Sequence, residues 1–167
     1  CGSLIAALAQ NGQFGGDEAK IKEFVSNLYA HVPILDTGAR GSTVTFAERE
    51  QGDVLLAWEN EALLSRKKLA NGAFEIVYPS LSILAEPPVA VVAKNAAKHG
   101  TEAVAKAYLE FLYTPEAQTA IARNFYRPRN PEVAANFKNQ FPAISMVTID
   151  KDFGGWSAAQ KTFFDEG

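Results

Sequence analysis

Asp36-Thr-Gly-Ala-Arg-Gly-Ser-Thr43 decides how this chain is read. The apolar residues 33–35 precede it and a helical run over 42–50 follows, so it reads as the turn of a strand–turn–helix unit. Gly38 and Gly41 allow unusual dihedrals and a close approach to a ligand. Ser42 or Thr43 is placed to cap the helix. Unpaired N–H groups at such a helix start, together with the helix dipole, attract anions. A tight turn with an ordinary cap would use the same residues, so the motif alone leaves both readings open.

Outward from this turn, helix and strand signals alternate, which predicts an α/β fold. Upstream, 3–10 reads as a short helix. Residues 17–30 read as an amphipathic one, with Ile21, Phe24, Val25, Leu28 and Tyr29 on a single stripe. Downstream, 53–58 is a continuous apolar strand of the kind found in parallel sheets. A helix over 59–70 stops at Asn71-Gly72, and strands are predicted at 74–78 and 89–93 with a break at Glu86-Pro-Pro88 between them. Helices are predicted at 102–112, 115–124, 131–138 and 156–164, with Pro115 suited to a first helical position, and a last strand at 146–149. The expected organisation is a lobe over 1–82 that carries the turn, a hinge-like segment over 83–92, and a C-terminal helical part with one strand over 93–167.

Trp58 closes the strand at 53–58. Ligands of open α/β sheets lie at the carboxyl ends of strands. An indole offers one donor and no charge, which suits an anion that only accepts hydrogen bonds. A core tryptophan is the alternative. Catalytic sets are missing from the sequence. His31 and His99 have no metal-ligand spacing, and Glu59 and Glu61 read as solvated or salt-bridged. Neither a phosphate loop nor a nucleophile elbow occurs. The expectation is a chain that is no enzyme and uses no metal or cofactor.

The 167 residues carry a formal net charge of -3, which argues against nucleic acid as a partner. No apolar run approaches the roughly 20 residues of a membrane helix. Cys1 is the only cysteine, so no internal disulfide forms. The start Cys1-Gly-Ser3 fits a lipidated first residue, a labelling thiol or an artificial chain boundary.

Leu35 through Thr43, Gly52-Asp-Val-Leu-Leu-Ala-Trp-Glu-Asn-Glu-Ala62, Ser82-Ile-Leu-Ala-Glu-Pro87, Phe125-Tyr-Arg-Pro-Arg129 and Phe153-Gly-Gly-Trp156 together resemble the periplasmic sulfate-binding proteins, the solute receptors of ABC importers. The resemblance runs from Gly15 onward and covers the C-terminal part of that family. It implies an incomplete lobe of the type II periplasmic-binding-protein fold. It implies sulfate as ligand, with the Ala39 amide and the Trp58 indole as donors, and Gly38, Arg40, Gly41 and Ser42 in support. It also implies a bacterial periplasmic location and, for the whole protein, a membrane permease as partner. Relative to the family, the first lobe, its hydroxyl ligand and a Ser-Gly-Gly loop are missing. The chain would then bind weakly, or be a folded fragment or engineered scaffold without useful binding, or serve thiosulfate, molybdate or phosphate. A half receptor would also expose apolar surface, which leads to the expectation of a homodimer or a domain-swapped assembly.

Overall fold

Asp17 starts the first helix, α1 (Glu18–Ala30), by accepting hydrogen bonds from the Ala19 and Lys20 amides at 3.1 and 3.2 Å. In this computed structural model, residues 12, 14–69 and 74–165 are described. The predicted helix over 3–10, Cys1 and the Asn71-Gly72 stop lie outside them. Contacts group the chain into two units that each return to distant stretches of sequence. Unit 1 takes residues 1–35, 77–86 and 144–167, and unit 2 takes 36–76 and 87–143.

In unit 1, the α1 stripe buries Ile21 and Val25, while Phe24 stacks obliquely on Phe14 at 5.5 Å. Strands β1 (Leu81–Ile83) and β2 (Ser145–Val147) pair in parallel, with Leu81 opposite Ser145 and Ile83 opposite Val147. Short helices α8 (Ile149–Phe153) and α9 (Trp156–Gln160) follow β2, and a π-helical turn closes the described chain at Lys161–Asp165. Gly154 and Gly155, at φ 71° and 87°, make the corner between the two helices, a backbone region that glycine enters without cost.

Unit 2 is helical: α2 (Ala39–Ala47), α3 (Glu59–Leu69), α4 (Ala93–His99), α5 (Glu102–Phe111), α6 (Pro115–Arg123) and α7 (Pro131–Asn136). Its core joins Leu63, Ala122 and Phe141, with Ile76, Phe125 and Phe137 packed around them. Gln118, in the same unit, is buried and satisfies three backbone groups. Its Nε2 donates to the Leu112 carbonyl at 2.8 Å, and its Oε1 accepts from the Arg129 and Asn130 amides at 2.6 and 3.3 Å.

The α/β expectation is met only in its helices and in a small sheet. Residues 33–35, 53–58, 74–78 and 89–93, predicted as strands, form no ladder, and the two-stranded sheet instead uses 81–83, where no strand was predicted. Apolar β-branched composition favours an extended backbone, but a strand exists only where a neighbour accepts its hydrogen bonds. Without one, Val54, Leu56 and Val77 stand 80%, 74% and 81% exposed. Residue 93 opens α4 rather than closing a strand. That helix ends on Gly100 at φ 63°, whose amide reaches the Ala96 and Ala97 carbonyls. The last predicted helix gives way to the π turn after Gln160.

Candidate functional site

The turn at 36–43 is more helical than its sequence suggests. Helix α2 begins at Ala39, so Ser42 and Thr43 lie inside it and neither caps it. Gly38 is the residue before the helix, and no side chain accepts from the first turn. Ser42 donates its amide back to the Gly38 carbonyl at 3.1 Å, which leaves the Ala39, Arg40 and Gly41 amides without an acceptor among the described residues. Gly38 sits at φ -170°, an extended backbone any residue adopts, so its role is not conformational. Gly41 is needed for space: a Cβ there would lie 3.2 Å from the Cβ of Asp36.

Trp58 precedes α3, and its carbonyl accepts the Ala62 amide at 3.1 Å. Its side chain is 57% exposed, which rules out the core reading. The Glu59, Asn60 and Glu61 amides of this second helix start also find no acceptor among the described residues.

Two arginines organise the acidic residues beside these free amides. The Arg40 Nη2 donates to Glu61 Oε1 at 2.9 Å. The Thr43 hydroxyl, 3.0 Å from the Ala39 carbonyl, also reaches Glu61 Oε2 at 3.3 Å. Glu61 is 7% exposed, and these bonds bring the first turns of α2 and α3 side by side. Arg127 grips Glu59 through both oxygens, Nε to Oε2 at 3.0 Å and Nη2 to Oε1 at 2.7 Å. Its Nη2 also donates to the Pro142 carbonyl at 3.0 Å, and its guanidinium lies 5.3 Å from the Phe141 ring centroid. Of the two sequence readings of Glu59 and Glu61, the structure selects salt bridges.

The arrangement presents two adjacent helix starts with unfilled N–H groups and an exposed indole beside one of them. The Glu59 and Glu61 carboxylates are each held by an arginine. Such helix starts donate hydrogen bonds to an incoming anion. Among the described residues no group of three or more His, Cys, Asp or Glu could hold a metal ion, and no helix is long and apolar enough to cross a membrane. His31, with Nδ1 2.7 Å from the Asn27 carbonyl, and His99 both sit at helix ends. Sequence reasoning gave Arg127 no role. Its only signal was membership of the Phe125–Arg129 motif, because its partner Glu59 is 68 residues away.

A family model described as bacterial extracellular solute-binding protein matches residues 3–127. The chain belongs to this family. It is 57% identical over 151 residues to the sulfate-binding protein of Escherichia coli (strain K12), which covers 90% of this chain and 46% of that protein. It is 50% identical over 153 residues to the thiosulfate-binding protein of Pseudomonas aeruginosa, which covers 92% of this chain and 46% of that protein. The sulfate-binding protein of Synechocystis sp. is 40% identical over 153 residues, covering 92% and 43%. The chain thus spans less than half the length of these solute-binding relatives. The motifs at 35–43, 52–62 and 82–87 lie within the residues that the family model matches.

Proposed function

We propose that this chain carries part of the oxyanion site of a sulfate or thiosulfate receptor serving an ABC importer in the bacterial periplasm. The observation that carries the reading is the pair of uncapped helix starts at Ala39 and Glu59, held together through Glu61. In this reading the Ala39 amide and the Trp58 indole donate to the anion. Arg40 braces the turn, Gly38 leaves its approach open, and Gly41 and Ser42 shape its backbone. The chain is then one incomplete lobe of the type II receptor fold. Residues 83–92, without helix or strand after Ile83, act as a hinge-like connection. A permease is the partner of the whole protein. No chemical step, metal or cofactor enters the reading, which is that of a binding component rather than an enzyme. A homodimer or swapped assembly of this chain belongs to the same proposal.

Selectivity follows from the donors. Glu59 and Glu61 are both engaged by arginine, so neither is free to accept a proton from a protonated phosphate. Affinity follows from how many donors there are. Sulfate gives up strong hydration, and each charge-assisted hydrogen bond returns about 1.5–3 kcal/mol. A site with only part of the receptor's donors should bind in the range of about 1 mM or weaker. Isothermal titration of the chain with sulfate, thiosulfate, molybdate and phosphate tests this. Weak binding of sulfate or thiosulfate over phosphate is expected. Preference for phosphate, or no response to any anion, overturns the reading.

A further inference from the structure

The geometry points to Arg127 as a positioning residue that keeps the α3 amides open by holding Glu59 away from them, a role that rests on the anion site proposed above. Both acidic residues of the α3 first turn, Glu59 and Glu61, stand where a carboxylate is drawn to its own helix start. Neither goes there. Glu61 is pulled across to Arg40 and Thr43, and Glu59 is pulled out to Arg127. Arg127 is itself fixed, by the Pro142 carbonyl and by the ring of Phe141, which is 6% exposed and part of the core. The pair is only partly wet, with side chains 27% and 23% exposed.

A released Glu59 would be a tethered anion beside the free amides of its own helix. Tethering gives a group an effective concentration of about millimolar or more, comparable to or above that of a free competitor. Glu59 would therefore compete with an external anion for the same N–H groups and repel it. The bidentate grip removes that competitor and fixes the backbone next to Trp58.

The test uses the full chain labelled with 15N, at constant ionic strength set with chloride. Three variants are compared with the unmodified protein: Arg127→Met, Arg127→Met with Glu59→Gln, and Glu59→Gln alone. Two signals are read, the amide shifts of Glu59, Asn60 and Glu61 before sulfate is added, and the response of those amides and the Trp58 indole to sulfate. In Arg127→Met, the amides should move downfield as the carboxylate returns to them, and sulfate should bind about tenfold more weakly. The double variant should restore both signals, because the neutral side-chain amide introduced by Glu59→Gln is a poor competitor. Glu59→Gln alone should leave the Asn60 and Glu61 amide shifts where they are in the unmodified protein, because no carboxylate remains at position 59 to fill them.

Unshifted amides in Arg127→Met overturn the proposal, as does a double variant that behaves like the single one. A downfield move of the Asn60 and Glu61 amides in Glu59→Gln alone also overturns it, and does so even if Arg127→Met fails to fold. Amide shifts that follow the expected pattern in a protein that never responds to sulfate sustain the role of Arg127 and defeat the sulfate reading instead.

Discussion

Gln118 shows how one buried polar side chain holds a connection that has no regular structure. It bonds the Leu112 carbonyl before its own helix and the Arg129 and Asn130 amides after it, at 7% exposure. Replacing it with leucine keeps the volume and removes all three bonds to partly buried backbone, at a cost of about 2–3 kcal/mol. Thermal unfolding of Gln118→Leu should fall by roughly 4–10 °C. An unchanged midpoint would mean that water replaces these bonds. The residue is legible in the sequence only as part of Pro115–Gln118, since its acceptors and donors lie 6 to 12 positions away. Trp58 is the contrasting case. Its place at the end of an apolar run was legible, while its exposure was not, because burial depends on which other segments arrive beside it.

Among the elements, the helix starts differ in a way that bears on function. Helix α1 is capped by Asp17, α6 by Thr114 and α7 by Asn130. The start of α2, at the proposed site, is capped by no side chain. Placing aspartate at Gly38 should supply what α1, α6 and α7 have. The backbone there is extended and a Cβ meets nothing within 4 Å. Gly38→Asp is expected to raise stability by about 0.5 kcal/mol, through a better cap and the helix dipole. It should also weaken sulfate binding by about tenfold, because the new carboxylate fills the amides. Denaturant unfolding and an anion titration on the same sample check both signs. A variant that is stabilised yet binds sulfate unchanged would remove α2 from the site. Helix positions were readable because amphipathic stripes and start signals such as Asp17 and Pro115 are local. The missing strands were not, because a ladder is made by two segments.

At the scale of the molecule, the extended apolar segments become the main feature. Leu35, Val54, Leu56 and Val77 are between 74% and 81% exposed, and Val104 and Tyr108 of α5 are 70% and 61% exposed. Apolar side chains left in water at this density favour association. Light scattering across a range of concentration should find the chain passing from monomer to dimer or larger species, with steeper growth at higher salt. A constant monomer mass would end that expectation.

The amino-acid sequence by itself determined the family motifs and most of the helices, though not Ala93–His99 or Ile149–Phe153, because each is written in near neighbours along the chain. Tertiary structure alone decided that 81–83 rather than 53–58 pairs as a strand, and that residues 36–76 share a unit with 87–143. It also decided that Arg40 and Arg127 take up Glu61 and Glu59. These depend on partners 21 to 68 residues apart, whose meeting is set by packing and loop closure rather than by local preference.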